Sequence, residues 1–140
     1  MPDMDFAQKF RKVLIIDDDP IFIEILAAFF MKRGTSTVVA AADGKQAALA
    51  LAQNSATLDL ITSDLNMPAT DGVEFLTHLS SKRETRIPLV ILSAADRSIL
   101  DASGKLAEAY GLHFLGSLPK PLNSKALENL LLPLLKNAAD

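Results

Sequence analysis

The stretch VLIIDDDP, residues 13–20, joins four aliphatic residues directly to three acids and a proline. An aliphatic run of this length is typical of a strand that is buried on both faces of a sheet. Pro20 fits the first position of a helix, and Asp19 before it is predicted to be the N-cap. Asp17 and Asp18 then remain at the tip of the strand. Either they are two solvated loop acids, or they bind a divalent cation, since adjacent carboxylates repel unless a cation lies between them.

Short aliphatic runs and helical patterns alternate along the rest of the chain. Strand and helix repeated five times predict an α/β fold with a five-stranded parallel sheet and helices on both faces. The predicted strands are 12–16, 36–41, 58–63, 89–93 and 113–118, and the predicted helices are 20–33, 45–53, 72–82, 97–110 and 123–136. In such a fold, functional groups gather at the carboxyl ends of the strands.

The bulk composition excludes several classes of protein. The chain has 140 residues, a net charge of −3 and no Cys, so disulfides and Cys-based metal sites are excluded, and a nucleic-acid surface is not expected. No apolar run reaches the roughly 18–20 residues that span a bilayer, and a cytoplasmic protein without membrane contact is the expectation. Residues 1–11, with the basic cluster Lys9, Arg11 and Lys12 at their boundary, are interpreted as a solvated leader, and residues 12–140 as one domain.

Three further strand ends carry polar side chains. Asp64 follows the third strand, Ser93 ends the fourth, and Lys120 lies between two prolines after the fifth. Asp71 of the same loop as Asp64 is predicted to be a cap or turn residue. A parallel sheet brings these ends to one edge, where acids, a hydroxyl and a cation suit phosphoryl transfer to a carboxylate.

In order and at similar spacing, VLIIDDDP (13–20), DLITSDLNMPATDG (59–72), LVILSAAD (89–96) and LPKPL (118–122) resemble the landmarks of the receiver domain of two-component response regulators. The resemblance covers roughly residues 12–137. It implies a flavodoxin-like (βα)5 three-layer sandwich with strand order 2-1-3-4-5.

The resemblance also implies a role for each site residue. Asp64 is the expected phosphoacceptor, Ser93 the switch hydroxyl and Lys120 the cation, with a cis bond between Lys120 and Pro121. The expected Mg²⁺ ligands are Asp17, Asp18, Asp64 and the backbone carbonyl of Asn66, with Asp18 binding the metal directly and Asp17 acting through water. The domain is then not an enzyme beyond its own phosphoryl transfer and dephosphorylation. Its expected partner is a sensor histidine kinase or a histidine phosphotransfer protein.

The fifth strand departs from the family pattern. The family usually has Tyr or Phe three residues before the lysine, where this chain has Ser117. Strand alternation places Phe114 on the opposite face, so Phe114 is not expected to replace that ring. The signal is therefore expected to leave through the loop after Ser93 and the start of helix 97–110, with little change at residues 114–117.

The segment GLHFLGSLPKPL (111–122) resembles receivers attached to EAL-type cyclic-di-GMP phosphodiesterase domains. It suggests an output related to cyclic di-GMP. The surface of helix 97–110, strand 113–118 and helix 123–136 is expected to switch on phosphorylation. It would meet an output domain or a second copy of the chain.

Helix 20–33 has two apolar stripes. The first is predicted to face the core, and the second is either part of a broad buried face or a docking patch for the phosphotransfer partner. The first stripe contains Phe22, Ile25, Leu26 and Phe29, and the second contains Ile23, Ala27 and Phe30.

Two alternative functions remain open at this level. A haloacid-dehalogenase-like phosphatase would use Asp17 of IIDDD as its nucleophile, although Ile21 stands where that motif has Thr or Val. A degenerate receiver would act only as a binding module, although the intact acids, hydroxyl and lysine argue against it. His78 and His113 lack metal-ligand spacing and are interpreted as structural or exposed.

Overall fold

The computed structural model describes residues 4–65, 72–81 and 86–138. In chain order the elements are α1 (Met4–Lys9), β1 (Lys12–Ile16), α2 (Pro20–Lys32), β2 (Thr37–Ala41), α3 (Gly44–Asn54), β3 (Leu60–Ser63), α4 (Gly72–Ser81), β4 (Leu89–Ser93), α5 (Arg97–Ala109), β5 (Phe114–Pro119) and α6 (Ser124–Ala138). The strands form one parallel sheet in the order β2-β1-β3-β4-β5, which confirms the predicted fold class. In the described ranges, no helix combines the length and apolar character that crossing a bilayer requires.

Local signals place the helix ends. The Asp19 carboxylate accepts a hydrogen bond from the Ile21 N–H at 3.0 Å, and Pro20 begins α2, as predicted. After α2, Gly34 adopts a φ of 101°, a conformation that side chains with a Cβ rarely tolerate. Asn123 accepts from the Ala126 N–H at 3.0 Å at the start of α6. Each of these ends was readable from a few neighbouring residues.

The sheet separates two apolar layers. On β1, Leu14 and Ile16 point to the layer beneath α3, α4 and the end of α5. Val13 and Ile15 point to the layer beneath α1, α2 and α6. Strand residues alternate between faces, so a central strand covered on both sides must be apolar throughout. This is why β1 is a continuous aliphatic run.

The short helix α1 was not predicted. It lies within the segment interpreted as a solvated leader, yet Phe6 is 3% exposed and Phe10 is fully buried. Their rings are 4.9 Å apart, and the Phe6 ring also lies 6.2 Å from Phe29 and 6.1 Å from Phe30. The solvated-leader interpretation is therefore wrong for these two aromatic residues, because they complete the core on the α2 and α6 side of the sheet.

The exposed face of α2 differs from the predicted one. Ile25 was assigned to the core but is 49% exposed. Phe30, in the stripe that was left open between a buried face and a docking patch, is fully buried. Ile23 and Ala27 are partly buried against the core. The residues that face the core are Phe22, Leu26, Phe29 and Phe30, spaced as one helix face. The exposed large hydrophobic residues of α2 are instead Ile21, Ile25 and Met31.

A β-bulge changes the faces of β5. Leu89 pairs with Phe114 but Val90 pairs with Gly116, so Leu115 is an extra residue on β5. Leu115 and Leu118 both pack into the layer beneath α2 and α6, although simple alternation assigns them to opposite faces.

Phe114 consequently shares a face with Ser117, and both line one cavity beside α5. The predicted placement of Phe114 is wrong, because one inserted residue reverses the alternation before it. Gly116 permits the bulge, with a φ of 155° and a position where a Cβ would lie 2.7 Å from Leu130.

Candidate functional site

The carboxyl ends of four strands meet at one edge of the sheet. Asp17 follows β1, Asp64 follows β3, Ser93 ends β4 and Lys120 follows β5. Backbone hydrogen bonds continue the ladder past the strands: the Asp64 N–H donates to the Ile16 carbonyl at 2.9 Å, and the Lys120 N–H donates to the Ser93 carbonyl at 3.0 Å. The parallel register therefore holds the predicted site residues next to one another.

Three acids form a cluster at this edge. One carboxylate oxygen from each of Asp17, Asp18 and Asp64 lies within 4.8 Å of the other two. Asp17 is 2% exposed and Asp64 is 4% exposed, whereas Asp18 faces solvent. Clustered carboxylate oxygens with one side open to water are the donor set that Mg²⁺ prefers.

Lys120 lies among these acids. Its Nζ atom is 2.8 Å from Asp17 Oδ2 and 3.2 Å from Asp64 Oδ2. The same atom lies 4.4 Å from the centre of the Phe22 ring. The bond between Lys120 and Pro121 is cis, as the resemblance implied. The ammonium thus compensates part of the negative charge that the two buried acids bring to the site.

Burial and pairing have opposite effects on the acid–base groups. Burial raises the pKa of Asp17, although the Lys120 hydrogen bond and the Asp19 N–H, which donates to Asp17 Oδ1 at 2.9 Å, lower it in part. Burial by itself would lower the pKa of Lys120, but the Asp17 hydrogen bond and the charges of Asp64 and Asp17 outweigh it, so that pKa is raised. Lys120 is therefore held in its charged form by its neighbours.

Ser93 is fully buried, and its Oγ atom accepts a hydrogen bond from the Ala95 N–H at 3.3 Å. Its backbone carbonyl accepts the hydrogen bond from the Lys120 N–H, so Ser93 belongs to the same edge of the sheet. Two residues of the sequence prediction, Asn66 and Asp71, lie outside the described residues.

The two histidines lie in other surroundings. His78 stacks on Phe75 in α4, with ring centres 6.3 Å apart. His113 is exposed beside the start of β5.

The sequence analysis missed the place of Phe22 in this site. The helical pattern assigned Phe22 to the core, where it is indeed 6% exposed. Only the tertiary structure brings its ring against the Lys120 ammonium, about 100 residues along the chain. No local signal could have found this contact, because the pattern of a helix indicates which face is apolar but not which polar group borders it.

Residues 13–132 match the family model described as the response regulator receiver domain. The chain belongs to this family. The matched segment contains the sheet, apart from the first residue of β1, and all the site residues named above, whereas α1 precedes it. The protein is therefore a receiver domain of two-component response regulators, and the expected family is confirmed.

Full-length relatives carry further segments beyond the receiver domain. The chain is 32% identical over 120 residues to the cyclic di-GMP phosphodiesterase RocR of Pseudomonas aeruginosa, covering 85% of this chain and 30% of RocR. It is 33% identical over 120 residues to the transcriptional regulatory protein CpxR of Klebsiella pneumoniae, covering 84% of this chain and 46% of CpxR. The receiver domain thus spans less than half of either relative.

A solved structure of similar size agrees with the fold. The chemotaxis response regulator CheY4 of Vibrio cholerae is 32% identical, with a TM-score of 0.68 and coverage of 91% of this chain and 98% of that one. The two alternatives, a phosphatase and a binding module, gain no support from any of these comparisons.

Proposed function

We propose that this receiver domain accepts a phosphoryl group on Asp64 from a phosphohistidine of its partner or from a small phosphodonor. The observation that carries the proposal is the convergence of three acids, Ser93 and Lys120 at the ends of four strands. The Asp64 carboxylate would attack phosphorus, forming a P–O bond while the P–N bond to the donor imidazole breaks. The leaving imidazole keeps the bonding electron pair and takes up a proton.

Asp17, Asp18 and Asp64 would hold Mg²⁺, together with the Asn66 carbonyl that the resemblance implies. When bound, Mg²⁺ neutralises negative charge on the phosphoryl oxygens and on the acids. The chain's own groups supply the rest. The Lys120 ammonium would donate to a phosphoryl oxygen from its position beside Asp64, and the Ser93 hydroxyl would turn from the Ala95 N–H to another of these oxygens.

The test is phosphorylation of the wild-type chain by acetyl phosphate, followed by mass spectrometry of its peptides. We expect the phosphate mass on the peptide that contains Asp64 when Mg²⁺ is present, and none when EDTA replaces it. Phosphate found on Asp17 would support the phosphatase alternative instead. Both Asp17 oxygens have donors, the Asp19 N–H at Oδ1 and the Lys120 ammonium at Oδ2.

Mg²⁺ is expected to stabilise the fold through the acid cluster. If it binds only the folded state, the gain is about 2.7 kcal/mol at roughly 100 times its Kd, measured by thermal denaturation. Asp18→Ala should remove most of this gain with little effect on the metal-free fold, because Asp18 is exposed. Glu24→Ala, which removes an exposed acid of α2 outside the acid cluster, is the matched control. Equal Mg²⁺ responses of the two variants would contradict the assigned ligand.

The exposed face of α2 is proposed to dock the sensor kinase or phosphotransfer partner. Ile21 is 68% exposed and Ile25 is 49% exposed, one turn apart on α2. Ile21 lies three residues after Asp18, the exposed acid of the cluster. A helical partner seated on Ile21 and Ile25 could present a phosphohistidine to Asp64. Ile21 and Ile25 therefore replace the stripe of Ile23, Ala27 and Phe30 as the proposed docking patch.

The surface formed by α5, β5 and α6 is proposed to transmit the signal to the output. By analogy with RocR, named as a cyclic di-GMP phosphodiesterase, we propose an output related to cyclic di-GMP, reached through this surface. Pairing with a second copy of the domain would use the same surface. The domain would act in the cytoplasm, where histidine kinases phosphorylate their response regulators.

Phe114 is the residue we expect to carry the signal to α5. Its ring packs against the cluster of Leu65, which follows Asp64, Ile91 of β4 and Leu100 of α5. Ala95, two residues after Ser93, packs against the same cluster. Phe114 also fills the space beside Gly104, where a Cβ would lie 2.8 Å from the ring. Phe114 thus belongs to one apolar cluster with residues of both loops of the acid site and of α5.

Hydrogen exchange with and without beryllofluoride and Mg²⁺ tests this role. In the wild type we expect the largest change in protection over residues 93–104. We also expect a change at residue 114, in contrast to the expectation from the sequence. Phe114→Leu should reduce the change in α5 by at least half while Asp64 is still phosphorylated. Ser117→Ala, on the same face of β5, should leave the change intact. A loss caused by Ser117→Ala and not by Phe114→Leu would assign the relay to the serine.

A further inference from the structure

Among the residues that the structure describes, the Lys120 ammonium has three neighbours of two kinds. Two are the carboxylates of Asp17 and Asp64, at 2.8 and 3.2 Å. The third is the face of the Phe22 ring, whose centre lies 4.4 Å from Nζ. This distance is within the range in which a cation is attracted to the negative face of an aromatic ring. Phe22 is 6% exposed, and the Lys120 side chain is 17% exposed, so water screens the contact only in part.

A metal ion at the acid cluster would compete with this ammonium. Asp17 is both the nearest partner of Lys120 and one of the three acids placed to bind a cation. Two cations sharing one carboxylate repel, so we expect the ammonium to move away from Asp17 when the metal binds. It must nevertheless stay beside Asp64 to reach a phosphoryl oxygen there.

The Phe22 ring can hold the ammonium in that position without neutralising it. An aromatic face has no formal charge and accepts no proton, so Lys120 keeps its full charge for the phosphoryl oxygens. A carboxylate in the same place would compete with them. An aliphatic side chain would exclude water from the ammonium and offer no attraction in return.

We propose that Phe22 is a positioning residue for Lys120, which keeps the ammonium beside Asp64 once Asp17 binds the metal. The inference rests on the proposed function for its role in phosphoryl transfer, but the contact itself does not. Losing the attraction between the Phe22 ring and the Lys120 ammonium would displace the ammonium more when metal is bound than in the metal-free chain. In the metal-bound chain, Asp17 no longer holds the ammonium. Weakening the ring should therefore lower both the Mg²⁺ affinity and the rate of phosphorylation.

The experiment replaces Phe22 by mono-, di- and trifluorophenylalanine. Fluorine withdraws electrons from the ring face while the shape changes little, so the attraction falls in steps and the packing is retained. We expect the Mg²⁺ affinity and the acetyl phosphate rate to fall stepwise, by about threefold to tenfold in total. In the metal-free chain, the NMR signal of the Lys120 side chain should shift with each step, since it lies over the ring.

Phe29 provides a matched control on the same helix. Its ring carries the Arg33 guanidinium at 3.7 Å and lies at the other end of α2. The same fluorinated series at Phe29 should leave the Mg²⁺ affinity and the rate unchanged. If both series have equal effects, or if the Phe22 series has none, the positioning role is overturned.

The NMR shift of the metal-free chain and the Mg²⁺ titration can both be measured even if the wild type is not phosphorylated. A wild type that binds Mg²⁺ but gains no phosphate would overturn the proposed function alone. Conversely, phosphorylation on Asp64 with rates independent of fluorination would overturn only the role of Phe22.

Discussion

Replacement of Asp64 by Asn is expected to abolish phosphorylation of this receiver domain by acetyl phosphate. The amide cannot supply the carboxylate oxygen that forms the bond to phosphorus. We expect no phosphate on residue 64, measured by mass spectrometry after incubation with Mg²⁺. The fold should persist, because Asn removes one of two buried acids that share Lys120 and leaves Asp17 as its partner.

The control for this variant is Asp59→Asn. Asp59 precedes β3 at the opposite end from Asp64 and accepts hydrogen bonds from the N–H groups of Arg11 and Lys12, a role an amide oxygen can keep. Asp59→Asn should therefore be phosphorylated like the wild type. Phosphate on another residue of Asp64→Asn, at a rate close to that of the wild type, would show that Asp64 is not the acceptor.

Replacement of Phe10 by Ala is expected to lower the free energy of unfolding by about 3–5 kcal/mol. Phe10 is fully buried, its N–H donates to the Phe6 carbonyl at 2.9 Å, and its ring packs on Phe6. Truncation would leave a cavity between α1 and the layer beneath α2 and α6, which rigid neighbours fill only partly. Urea denaturation measures the loss.

Gln8→Ala is the matched control, since Gln8 lies on the exposed side of α1 and its truncation should change stability by no more than about 0.5 kcal/mol. If Phe10→Ala fails to fold, Phe10→Leu gives a smaller loss of the same origin. A loss below about 1 kcal/mol for Phe10→Ala would show that α1 is not part of the stable core.

Features encoded by a few neighbouring residues could be predicted from the sequence. The aliphatic runs gave the five strands to within about two residues at each end, because a strand covered on both faces must be apolar throughout. Asp19 with Pro20 predicted the start of α2, and the acids after β1 and β3 predicted the cluster. The sheet edge then follows, because parallel strands end on one side.

Features that depend on distant partners were decided by the tertiary structure. The face of Phe114 depends on the bulge at Leu115, since one inserted residue reverses an alternation that the sequence pattern assumes to be regular. The burial of Phe10 depends on an apolar site that α2 and α6 leave open. The ring of Phe22 meets Lys120 only because parallel pairing through β3 and β4 brings the ends of β1 and β5 to the same edge of the sheet. A local pattern contains no information about such a distance.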